Sequence, residues 1–200
     1  VIDVTDNTFT INTYRTDNDQ KIDETFTIKK GVTEDIKSAS VGKVKNQVYT
    51  GKQIQPALKV TLNGKTLKAG KDYTVTYTDN ENTGLAKATI NGTGKYAGTQ
   101  TVTFKIVPKK AVLKTVKAEK SGTATVTIGK AGGKVSGYAI QVSTDSSFKK
   151  VTTYRTTKTT YTLKNLSKGK TYYVRVKAFT KVSDKNVYGA ASKTIKVKAK

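Results

Sequence analysis

The 200-residue chain contains no histidine, cysteine, methionine or tryptophan. Without histidine it lacks the commonest general base near neutral pH and the commonest metal ligand. Without cysteine there is no thiolate nucleophile, no thiolate zinc site and no disulfide. What chemistry remains falls to Asp, Glu, Lys, Tyr, Ser and Thr, and the sequence assigns no catalytic residue, no metal ligand and no cofactor. Lack of cysteine does not place the chain in the cytosol, because a secreted protein can do without disulfides. Two prolines and 16 glycines are too few for a disordered Pro/Gly-rich chain. No apolar run reaches the ~20 residues a membrane helix needs, so no membrane span is expected. No signal-peptide pattern opens the sequence, and from the missing initiator methionine we expect a piece of a longer, processed or truncated chain.

Acidic side chains are scarce, and unevenly so. Residues 1–40 hold five basic and eight acidic side chains, whereas residues 41–200 hold 32 basic and six acidic. The net charge changes from −3 to +26 near residue 40, which points to a different origin or neighbour for the first segment. Hydrophobic content is only 35%, but Val, Ile, Tyr and abundant Thr are strand formers. The composition predicts a folded β protein of one to three domains.

The most informative stretch is Tyr161 to Phe179. Tyr172, Val174, Val176 and Ala178 alternate with Tyr173, Arg175 and Lys177, the period of a half-buried strand. Leu163 and Leu166 lead into Ser167-Lys168-Gly169, a turn with glycine where positive φ is favoured. The pattern Leu166-x-x-Gly169-x-x-Tyr172 followed by an alternating strand resembles the E–F corner of a fibronectin type III domain. The resemblance implies that the Tyr172 hydroxyl ties the corner back to upstream backbone, with Leu166 and Gly169 as its structural partners.

Residues 1–40 read as a short β-ribbon and linker. Ile2 and Val4, Phe9 and Ile11, and Phe26 and Ile28 mark three strands. Asp17-Asn18-Asp19 forms a polar tip between the arms carrying Tyr14 and Ile22. Such a ribbon is too small to stand alone. A calcium loop starting at Asp17 would need Gly and Glu where Ile22 and Ile28 stand, so the tip reads as a turn. Residues 31–40 read as the linker. The first 30 residues resemble the last strands of calcineurin-like phosphoesterase domains in bacterial secreted proteins, without that family's metal ligands. The resemblance implies the tail of an upstream domain.

Residues 41–108 form a second unit. Val60 and Leu62 precede Asn63-Gly64, a strong hairpin dipeptide. Tyr73, Val75 and Tyr77 mark the next strand, Ala86, Ala88 and Ile90 another, and Val102, Phe104 and Ile106 the last before Pro108. Gly92-x-Gly94 is followed by Tyr96 and a further strand rather than a helix, so these read as β-turn glycines and not as a phosphate loop. Tyr49-Thr50-Gly51-Lys52, Ile54-x-Pro56, Gly70-x-Asp72-Tyr73-x-Val75-x-Tyr77, Asn82-x-Gly84 and Ile90-x-Gly92-x-Gly94-x-Tyr96-x-Gly98 together resemble the short immunoglobulin-like repeats of Gram-positive surface and secreted proteins.

Residues 109–200 form the third unit, joined near Pro108-Lys109-Lys110. Val112 and Leu113 begin it. Ala124, Val126 and Ile128, then Tyr138, Ile140 and Val142, mark strands. Phe148 and Val151 fall near a fourth, and Ile195 and Val197 in the last. Gly137-Tyr138-x-Ile140-Gln141-x-Ser143 and Tyr188-Gly189-x-x-Ser192 again resemble fibronectin type III domains of bacterial wall proteins, with Ile128 where the family usually has tryptophan. The expected fold is all-β: two tandem immunoglobulin-like β-sandwich domains preceded by a short ribbon.

Lys105, Lys177, Lys196 and Lys198 fall at outward positions scattered over several strands, which keeps sheets soluble and discourages edge pairing. The summed field of residues 41–200 still attracts polyanions, and that attraction is expected to fade with salt. Aromatic residues fall mostly on inward positions, so no stacking platform for bases and no specific nucleic-acid binding is expected. No Arg-Gly-Asp occurs, so integrin binding has no support. The two adjoining resemblances, with the missing catalytic side chains, imply a monomeric, non-catalytic module, extracellular, secreted or associated with the cell wall. It would serve as a spacer or adhesion element of a Gram-positive surface protein, presenting another domain near the wall. Its partners would be anionic wall polymers, another surface protein or a carbohydrate. The alternative is the accessory C-terminal region of a secreted hydrolase, such as a metallophosphoesterase, with its catalytic domain upstream.

Overall fold

The computed structural model describes residues 34–120 and 122–200, and the backbone alone of three strands within residues 2–29. These are β1 (Ile2–Val4), β2 (Thr8–Tyr14) and β3 (Lys21–Lys29). They form one antiparallel sheet in chain order, with Ile2 opposite Ile11 and Phe9 opposite Ile28. The three strands lie on the alternating pairs read from the sequence; the Asp17-Asn18-Asp19 tip lies outside the described residues.

Nine short strands follow: β4 (Glu34–Asp35), β5 (Ser40–Val41), β6 (Gln47–Val48), β7 (Val60–Leu62), β8 (Lys65–Thr66), β9 (Tyr73–Thr78), β10 (Gly84–Gly92), β11 (Tyr96–Ala97) and β12 (Thr99–Val107). They build sheets ordered β5-β7-β8, β6-β12-β10-β9 and β11-β4. Asn63 and Gly64 both take positive φ, 48° and 76°, which gives the β7–β8 hairpin the twist its strands need. Ala86, Ala88 and Ile90 are fully buried along β10, and the Tyr77 ring meets Phe104 edge-on at 6.3 Å.

Two local features depart from the sequence reading. Residues 34–41 are ordered into β4, a 3₁₀ turn at Ile36–Ser38 and β5, where a linker was expected. Ile36 is fully buried, and the Asp35 side chain caps the turn by accepting the Lys37 N–H at 2.9 Å. Parallel pairing of β4 with β11 over two residues leaves no alternation for a sequence to display. Gly92 is the second departure, because it ends a strand rather than forming a turn. A Cβ there would come within 2.9 Å of Ala97 N and O, so close backbone approach selects this glycine.

The remaining strands are β13 (Val112–Ala118), β14 (Ala124–Gly129), β15 (Gly137–Ser143), β16 (Thr152–Thr156), β17 (Thr160–Leu163), β18 (Thr171–Val182), β19 (Lys185–Tyr188) and β20 (Ile195–Lys198). A three-stranded sheet runs β13-β14-β17, and a five-stranded one runs β16-β15-β18-β19 with β20 also on β18. Their inner faces close on one apolar cluster that includes Val126, Ile128, Leu163, Ile140, Val174 and Val176. Each such side chain is worth about 1.5–3 kcal/mol of transfer free energy. The fourth strand of this region begins at Thr152, beyond the positions read from Phe148 and Val151. Phe148 instead sits in a turn with φ 57°, and Val151 is exposed.

The molecule is all-β among the described residues, apart from the single 3₁₀ turn. Packing divides it into two compact units. One comprises Val1–Val41, Lys59–Thr76 and Thr89–Gln100; the other comprises Gly42–Leu58, Tyr77–Ala88 and Thr101–Lys200. The division passes inside β9, β10 and β12. Among the described residues no helix is long and apolar enough to cross a membrane.

Candidate functional site

A corner loop leads into β18, which pairs with β15, β19 and β20 in the five-stranded sheet. Leu166 is buried beneath the loop, and its N–H donates to the Gly122 carbonyl at 2.8 Å. Gly169 turns the chain at φ 77° with nothing within 4 Å of where a Cβ would stand. Its N–H donates to the Ala199 carbonyl at 2.9 Å. Tyr172 then points back, and its hydroxyl accepts the Ser167 N–H at 2.9 Å. All three residues read from the sequence thus lie within one turn and its bonds.

Beyond the corner the strand alternates from Tyr173 to Ala178. Val174, Val176 and Ala178 are fully buried, so Thr171, Tyr173, Arg175 and Lys177 face outward. Pairing extends that face sideways. Lys177 and Arg155 lie on either side of Ala139, and Arg175 and Thr153 on either side of Gln141. Tyr173 stands opposite Lys196, and Thr171 opposite Lys198. Arg155, Lys177, Arg175, Lys196 and Lys198 therefore share one sheet face. The five strands contain no Asp or Glu. Among the described residues, ion pairs link Lys95 to Glu34 and Lys181 to Asp184, and no carboxylate pairs with these five cations.

Two aromatic contacts orient the arginines. Arg175 Nε donates to Gln141 Oε1 at 2.8 Å, and its guanidinium lies 4.0 Å from the Phe148 ring centre. Phe148 is held there by a loop built on Asp145. That carboxylate accepts from Ser147 Oγ at 2.6 Å, Ser147 N at 2.9 Å and Lys149 N at 3.2 Å. The bonds to Ser147, and then to Lys149, hold the Asp145 carboxyl below its ordinary range. Arg155 and Asn186 each donate to the Tyr188 hydroxyl at 3.4 Å. Burial pushes that hydroxyl's pKa up, but the bonds from Arg155 and Asn186 and the charges of Arg155 and Lys177 outweigh it and leave it lowered.

The sequence reading treated the lysines as dispersed, and the structure corrects it: register gathers Lys177, Lys196 and Lys198 with two arginines that the reading had not singled out. The parity of 173, 175 and 177 against 196 and 198 was visible in the chain. The partnership of β18 with β20 and, through β15, with β16 was not. Lys105 is exposed on β12, away from this group in sequence and sheet. The face can attract anions and donate hydrogen bonds; it offers no side chain suited to general base work near neutral pH. Among the described residues, no three or more Asp or Glu side chains come together as a metal site.

Residues 113–194 match the family model of the fibronectin type III domain. Within the matched residues lie the corner, all of β14 to β19 and three of the five cations. No curated protein sequence matches the chain. Among solved structures, the chain is similar to the sixth fibronectin type III domain of human fibronectin type III domain containing protein 3. That pair is 22% identical, covering 46% of this chain and 85% of the other, with a TM-score of 0.38. The chicken CNTN1 FN1-FN3 domains are 16% identical, covering 96% and 77%, with a TM-score of 0.41. A beta-1,2-glucanase from Parabacteroides distasonis is 19% identical over 57% of this chain and 17% of the enzyme, with a TM-score of 0.38.

Proposed function

We propose that the chain is a non-catalytic extracellular module of a bacterial surface or secreted protein, spacing or tethering another domain near the cell wall. The observation that carries this reading is the fibronectin type III match over residues 113–194, a fold whose inner faces are filled by packed side chains. The resemblance of residues 41–108 to bacterial immunoglobulin-like repeats supports the surface setting, and supports taking 41–108 and 109–200 as the two modules. The strongly positive balance of residues 41–200 suits an anionic wall. Assay of the purified chain against phosphoester substrates, with and without divalent metals, tests the non-catalytic claim. No turnover is expected, and turnover that survives repurification would contradict it.

A second reading makes the same chain the accessory region behind a secreted hydrolase. It draws on the likeness of residues 1–30 to the last strands of phosphoesterase domains, and on the three-stranded ribbon those residues form. Reading the gene upstream of Val1 separates the two: metal-binding His and Asp motifs there would favour the hydrolase.

A further inference from the structure

We propose that the outer face of the five-stranded sheet binds a linear phosphate-bearing polyol polymer along the line Arg155, Lys177, Arg175, Lys196 and Lys198. This names a partner for the surface module proposed above, and rests on that reading for where the polymer would be met. Neighbouring strands lie about 4.8 Å apart and same-face residues along a strand about 6.8 Å apart. From Lys177 to Thr171, three such steps, the line therefore runs about 20 Å before it passes to Lys198 on β20. A polymer carrying a charge every few ångströms meets several cations at once. Successive contacts are then intramolecular and gain from high effective concentration.

The chemistry of the face selects among polyanions. Arginine forks match phosphate oxygens, and both arginines are oriented by hydrogen bonds, Arg155 to Tyr188 and Arg175 to Gln141. Between the cations stand Thr153, Gln141 and Thr171 on the same face, neutral hydrogen-bonding groups suited to hydroxyls. Bases would need free rings on which to stack. Here the Phe148 ring is covered by Arg175, and Tyr188 packs against Phe179 with ring centres 5.7 Å apart. Tyr173, the remaining ring in the line, is half-buried. The face therefore fits a charged polyol better than a nucleic acid. These strands carry no carboxylate, and among the described residues none pairs with these cations.

Two variants of equal net charge separate this face from the summed field. R155Q/K177Q/K196Q/K198Q and K59Q/K65Q/K68Q/K87Q each remove four positive charges, taking +23 to +19. Binding to poly(glycerol phosphate) is measured at 0.15 M salt, where the screening length is ~8 Å. The first variant should bind about tenfold more weakly than the parent, the second within about twofold. K177R/K196R/K198R, which keeps every charge, should bind as the parent does and guards against a folding artefact. Equal losses in the two glutamine variants would overturn the proposal. Equal binding of single-stranded DNA at the same salt would overturn the choice of polymer. Either failure leaves the surface-module reading standing, because that reading is tested by exposure on intact cells.

Discussion

The backbone N–H of Ser167 donates to the hydroxyl of Tyr172 across 2.9 Å, five residues apart in sequence. The bond closes the loop that leads into β18, the longest strand among the described residues, which pairs with three others in its sheet. Tyr172→Phe removes the hydroxyl alone and should cost about 1 kcal/mol in a denaturant melt, the usual net value of one hydrogen bond. Tyr173→Phe on the outer face should cost much less. Equal losses would show that the corner does not depend on this bond.

Gly92 and Gly169 are required for different reasons, and substitution can tell them apart. At Gly92 the obstacle is backbone, 2.9 Å from an added Cβ, so Gly92→Ala should cost about 1–3 kcal/mol as an overpacked site. At Gly169 there is open space and only the positive φ of 77° to satisfy, so Gly169→Ala should cost about 1–2 kcal/mol. Asparagine tolerates that conformation. Gly169→Asn should therefore recover part of the loss, while Gly92→Asn should recover none. Recovery at Gly92 would contradict the steric account.

The loop built on Asp145 should respond to pH. Bonds from Ser147 and Lys149 lower the Asp145 pKa below 3.8 in the folded state. Its contribution is therefore present above that value and lost as pH falls through the folded one. Asp145→Asn should melt at a lower temperature than the parent at pH 7, and the gap should narrow as pH drops below 3.8. A gap that stays constant over that range would show that the charge of Asp145 contributes nothing.

What the sequence made legible follows from where one face of a strand is buried. Tyr172 to Ala178 and Ala124 to Ile128 alternate because every second side chain enters the core, so the register was readable. Asn63-Gly64 was readable because both positions need positive φ. Strands β16, β17 and β19 were not, since TTYRT, TYTL and KNVY are short and polar on their exposed side. Phe148 was read only as lying near a strand, because an aromatic signals burial without saying by what. Here the Arg175 guanidinium covers it. The cationic face required knowing which strands are neighbours, which no single-strand pattern contains.

The non-catalytic reading predicts no hydrolysis of phosphoesters by residues 1–200 at neutral pH, whichever divalent metal is added. The Lys177, Lys196 and Lys198 variants should be equally inert. A rate that survived repurification and changed with an Asp or Glu substitution within residues 1–40 would place chemistry in the acidic segment and overturn that reading.

Exposure of this chain at the cell surface tests the central claim most directly. Antibodies raised against residues 41–200 should label intact cells of the organism that makes the protein, and brief protease treatment of those cells should remove the label. Labelling that appeared only after lysis would contradict an extracellular module.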